Sequence, residues 1–128
     1  MSLAYKLRFV FFVSFYLLIH KSNAQYANIP DGNFVQWLAN SSVANCLVGT
    51  QIDTTCQALQ DDTIINCSGA QIKNLEGIQF FRNLRYLDCS ANLHDSLVQL
   101  PPLLRQLICY NNKLQYIKVL PDSLTYFT

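Results

Sequence analysis

Charge, glycine and histidine are all scarce in this chain. Charged side chains make up 13% of it, against roughly 25% in an ordinary soluble domain, so it encodes neither a disordered charged tail nor a polyelectrolyte surface. Four glycines in 128 residues exclude a collagen-like or glycine-linker segment, and none stands in a phosphate-cradling motif. The two histidines, His20 and His94, are far apart, and no nucleophile-and-base motif surrounds either. Five cysteines are present, but no two have the close spacing of a thiolate metal site. These absences predict no catalytic residue, no metal and no cofactor, and point away from an enzyme.

What is present begins at the N-terminus. Lys6 and Arg8 precede an apolar run from Phe9 to Ile19, and Ser22-Asn23-Ala24 places small residues at the two positions a signal peptidase reads. This layout predicts a secretory signal peptide over residues 1–24, cleaved after Ala24. The run is too short for a bilayer-spanning helix, which needs about 20 apolar residues. No cysteine follows the cleavage point to take a lipid anchor. A secreted or cell-surface protein is expected, with no stable membrane insertion after cleavage. Removing Lys6, Arg8 and Lys21 leaves six basic against eight acidic side chains, a near-balance that gives no electrostatic case for nucleic acid.

From Leu84 onward the chain repeats itself. Leu84-Arg-Tyr-Leu87-Asp-Cys89-Ser-Ala-Asn92 is matched by Leu104-Arg-Gln-Leu107-Ile-Cys109-Tyr-Asn-Asn112, each key position displaced by 20, and Leu124-Thr-Tyr-Phe127 opens another copy. Val98-Gln-Leu-Pro101 precedes Leu104 as Val119-Leu-Pro121 precedes Leu124. A weaker copy lies upstream, where Ile65-Asn-Cys67 aligns 22 residues before Leu87-Asp-Cys89. Because side chains alternate along a strand, Leu87, Cys89, Leu107 and Cys109 should point inward, and Asp88, Ser90, Ile108 and Tyr110 outward. The amides of Asn92 and Asn112 are placed to satisfy backbone groups where the chain leaves the strand; Ala70 cannot do so. A 20-residue period leaves no room for a return helix, and Pro101, Pro102 and Pro121 favour an extended return. After Asn92 the next inward leucine is shifted by one. Either the turn rearranges or His94 takes a partly buried place, and a structural histidine with satisfied partners is expected over a ligand.

The pattern LxxLxCxxN resembles the leucine-rich-repeat signature, with cysteine where leucine is commonest. The short form is similar to bacterial secreted and cell-surface repeat proteins, and Ile29-Pro-Asp-Gly-Asn-Phe34 resembles the opening of internalin-like proteins. The resemblance covers about Thr63 to Thr128. It implies an α/β repeat solenoid: a horseshoe with a parallel β-sheet on the concave face, an extended convex side and a small helical N-terminal cap. The cap would occupy residues 25–62 and the repeats 63–128, about three and a half turns, with the array expected to continue beyond Thr128. In the cap, Asp31 or Asn33 would start a helix burying Phe34, Trp37 and Leu38 on one face, and a second short helix would lie around Thr54 to Gln60. The loop between them holds one carboxylate, Asp53, too few for calcium. Cys46 and Cys56 are the cysteines outside the repeat register and are expected to form a disulfide, which export permits. Cys67, Cys89 and Cys109 fall at one repeat position and should stack as buried thiols.

Such arrays bind through the exposed residues of their strands. The candidates are Arg85, Tyr86, Asp88, Ser90, Arg105, Gln106, Ile108 and Tyr110, a set rich in the tyrosine and arginine that dominate interface energetics. A protein or glycan ligand is expected, as in adhesion or host interaction. The alternative is a recognition module for a larger enzyme whose catalytic domain lies beyond residue 128.

Overall fold

The computed structural model describes residues 25–128. The signal-peptide expectation, over 1–24, lies outside the described residues.

The N-terminal part is built on an antiparallel sheet. Strand β1 (Tyr26–Asn28) pairs with β3 (Gln51–Asp53), whose other edge takes β2 (Leu47–Val48). A two-residue turn joins β2 to β3, and Gly49, at a φ of 63°, supplies the left-handed conformation such a turn requires. Between β1 and β2 lies helix α1 (Gly32–Ala39). Its start follows from Asp31, whose Oδ1 accepts hydrogen bonds from the N–H groups of Asn33 and Phe34 at 2.9 Å each. Phe34 and Leu38, four apart, are buried, while Trp37 is half-buried and stacked on Phe34 at 6.3 Å between ring centres. Helix α2 (Ala58–Asp61) inserts Leu59 into the core. A Cys46–Cys56 disulfide ties the end of a 3-10 turn, Ala44–Cys46, to the segment entering α2.

The remainder is parallel. Strands β4 (Ile64–Asn66), β5 (Tyr86–Asp88), β7 (Gln106–Ile108) and β9 (Tyr126–Phe127) form a four-stranded sheet in that order. Its register places Ile65, Leu87, Leu107 and Phe127 in one row. Strands β6 (Ser96–Leu97) and β8 (Tyr116–Ile117) make a separate two-stranded parallel sheet on the return segments. Ile65, Leu87 and Leu107 are buried with Cys67, Cys89 and Cys109, and Leu84, Leu104 and Leu97 close the core from the flanks. The three thiols are free. Burial, helped by the Asp88 charge, pushes Cys67 up to about 12. Burial and the neighbouring thiols push Cys89 higher still, and burial raises Cys109.

The leucine-rich-repeat horseshoe is not the architecture of the described residues. They form one antiparallel and two parallel sheets, from strands of two or three residues and two short helices. No single sheet joins the described strands, because the N-terminal strands pair antiparallel with one another and the return strands pair separately. Residues 25–62 hold two short helices, near the positions expected, together with an antiparallel sheet that the sequence did not suggest. Two- and three-residue strands are too short to show the alternation by which a strand is recognised in sequence.

Two asparagines hold the bends of the parallel part. Asn92 is buried; its Oδ1 accepts from the N–H groups of Ala70 and Ile72, and its Nδ2 donates to the carbonyls of Cys67, Cys89 and Ser90. Asn112 Oδ1 accepts from His94 N–H, and its Nδ2 donates to Cys89, Cys109 and Tyr110. The bend beside Ala70, which lacks an amide of its own, is thus served by the asparagine of the next strand. Gln71, Ala91 and Asn111, spaced by 20, have φ values of 57°, 51° and 53°. The left-handed turn therefore recurs with the sequence period, although none of these residues is glycine.

Candidate functional site

The outer face of the four-stranded sheet carries the residues singled out in sequence, but unequally. Side chains of Leu87, Cys89, Leu107 and Cys109 go into the core, so their neighbours along each strand go out. Arg105, Gln106 and Tyr110 are exposed, Tyr110 at 53%. Arg85, Tyr86, Asp88 and Ile108 are half-buried. Ser90 is buried, 2% exposed, and is corrected from a surface residue to a structural one. Its N–H and Oγ both donate to Asp88 Oδ1, at 3.0 and 2.6 Å. Asn66 and Ser68 make the same pair on β4, so these carboxyl and amide groups are turned back on their own backbone. At the next strand the row Asn66, Asp88, Ile108 changes to an apolar side chain, and Tyr110 stands where Ser90 does.

One end of this face is a shallow, open depression of about 630 Å³. Thr63, Ile64, Arg85, Tyr86, Arg105, Gln106 and Thr125 line it. The structure thus brings together four of the predicted residues and leaves Asp88, Ile108 and Tyr110 further along the strands. Thr63, Ile64 and Thr125 were missed from sequence, although Ile64 is the register partner of Tyr86 and 69% exposed. Carrying the 22-residue offset from Tyr86 would have found it. The backbone here is fully engaged: Arg85 O accepts from the N–H groups of Arg105 and Gln106, and Arg105 O from those of Thr125 and Tyr126. Recognition on this face must therefore be made by side chains.

A recess of about 360 Å³ lies between the segment after β4 and β6, where Lys73, Glu76 and Asp95 bring both charge signs. His94 is fully buried, and neither ring nitrogen has a hydrogen-bond partner. This corrects the expectation of a satisfied histidine. Burial pushes its imidazole below the ordinary range; the nearby Lys73 backbone, which does not reach hydrogen-bond geometry, and the Asp31 and Asp95 carboxylates oppose this without offsetting it. Sealed from solvent, His94 cannot meet a substrate. Among the described residues, no grouping of three or more His, Cys, Asp or Glu side chains is arranged to hold a metal, and no helix is long and apolar enough to cross a membrane.

No family model, curated protein or solved structure matches this chain.

Proposed function

We propose that this is an exported protein that binds a protein or glycan through the outer face of its four-stranded parallel sheet, without catalysing a reaction. The observation that carries the reading is the concentration of Arg85, Tyr86, Arg105, Gln106, Ile108 and Tyr110 on that one face, opposite a sealed core. Tyrosine and arginine offer large contact area with a polar handle, the pairing that dominates recognition surfaces. Export is supported by the basic, apolar and small-residue order of the N-terminus and by the disulfide, which persists in oxidising compartments.

The test is to probe protein and glycan arrays with the full chain and with two variants. Ligands bound by the native chain should be lost when Ile108→Asp is combined with Tyr110→Ala. They should be retained with Val119→Asp, an exposed position lining a different depression. Loss with Val119→Asp and retention with the sheet-face variant would move the binding role off this face.

A further inference from the structure

We infer that the ligand of this face is an acidic polysaccharide, held by its carboxylates on Arg85 and Arg105 and by its sugar rings on Tyr86 and Tyr126. The inference rests on the sheet face being the binding surface and names the chemistry it selects. Arg85 and Arg105 belong to adjacent strands, with the Arg105 N–H donating to Arg85 O at 2.8 Å. Two guanidinium groups therefore start from backbones about 4.8 Å apart, and like charges facing each other across strands repel. No carboxylate lines the depression they share. An anion lying between them removes the repulsion and takes charge-assisted hydrogen bonds from both.

The aromatic row decides the kind of polyanion. Tyr86, Gln106 and Tyr126 are register partners on three successive strands, which sets the two rings about 10 Å apart with a planar amide between them. A 1,4-linked pyranose chain crossing the strands advances by about one strand spacing per ring and flips at each ring, so every second ring meets a tyrosine in the same orientation, and the carboxylate on the arginine side lies between Arg85 and Arg105. An extended acidic peptide presents side chains on one face every about 7 Å, in step with neither one strand spacing nor two. A peptide strand would add at the β4 or β9 edge of the sheet and not over the Arg85 and Arg105 pair, whose backbone is already paired. The depression is open and shallow, which suits a flat polymer better than an anchoring side chain.

The experiment is titration calorimetry of the full chain with three probes: 1,4-linked oligomannuronate, the neutral mannan oligosaccharide of equal length, and poly-glutamate. Oligomannuronate should bind at least about tenfold more tightly than either, with affinity falling as salt rises. The double variant Arg85→Gln/Arg105→Gln should weaken it by about tenfold or more, with an unchanged circular dichroism spectrum, and Lys118→Gln, on another surface, should not. Equal affinity for the neutral sugar, or retention after the double substitution, would overturn the inference. Tighter binding of poly-glutamate would replace the glycan with an acidic peptide. If none of the three binds while array ligands still depend on Ile108 and Tyr110, the binding role stands and the acidic-glycan assignment falls; if no ligand depends on this face, both fall.

Discussion

Ala91 has a φ of 51°, in the left-handed region where a Cβ is a penalty and glycine carries none. Ala91→Gly should therefore stabilise the protein by up to about 1 kcal/mol, the reverse of the usual effect of adding glycine. Urea denaturation of the two proteins at one pH measures it, and a lower midpoint for the variant would show that the turn favours alanine. Asn92 behaves oppositely. Its amide makes five hydrogen bonds, and Asn92→Ala leaves buried carbonyl and N–H groups unpaired, at about 1–3 kcal/mol for each group that finds no water. The same measurement should show a large loss of stability. His94 adds a pH dependence. Its folded pKa lies below the ordinary 6.5, so the unfolded chain binds more protons between the two values. Stability is then complete above about pH 6.5 and falls as pH drops through that value toward the folded pKa. Denaturation midpoints at about pH 8 and about pH 5 should differ for the native chain and differ less for His94→Met.

At the scale of elements, the junction between the antiparallel and parallel parts depends on Asp31. One carboxylate oxygen caps α1, and the other accepts from the N–H groups of Lys73 and Asn74 at 2.8 and 3.1 Å. Burial alone would raise its pKa, but these four donors hold it below the ordinary value. The stability it lends is thus kept above the unfolded pKa and lost as pH falls through the folded one. Gly77 marks the other side of this junction. Its φ is 114°, and a Cβ there would collide with Ile29 Cδ1, so Gly77→Ala should lower the thermal midpoint by several degrees. The Cys46–Cys56 disulfide closes a loop of sequence separation 10, worth about 2–3 kcal/mol in the chain-entropy view. The double variant Cys46→Ser/Cys56→Ser should lose that amount in denaturant titration, and an unchanged midpoint would mean the fold holds this loop without the bond.

For the whole molecule, the core is organised around three free thiols that share a row and are shielded from solvent. The native protein should resist alkylation at Cys67 and Cys89, and yield three alkylated thiols once unfolded, as read by mass spectrometry. Rapid labelling of the native state would mean that the parallel sheet opens readily. Much of this organisation was legible in the sequence. The 20-residue displacement reappears as the register of Leu87 on Leu107, the alternation correctly put the cysteines inside, and the phrase around Asp31 marked the start of α1. The horseshoe was not there to be read. Local spacing says which residues share a row, but how many strands join one sheet is set by pairing between distant segments. Ser90 was misplaced for a similar reason: alternation assigns it outward, but the chain bends at Ala91 and its hydroxyl turns back onto Asp88.

Sequence alone determined the basic-apolar-small order of the N-terminus, the choice of Cys46 and Cys56 as partners, and the row to which each leucine, cysteine and arginine belongs, because each depends on spacing along the chain. The tertiary structure decided the antiparallel sheet of the N-terminal part, the unpartnered burial of His94, and the joining of Thr63, Ile64 and Thr125 to the arginine pair. Those depend on segments 20 or more residues apart meeting in space, where strand register and packing override what any one segment prefers.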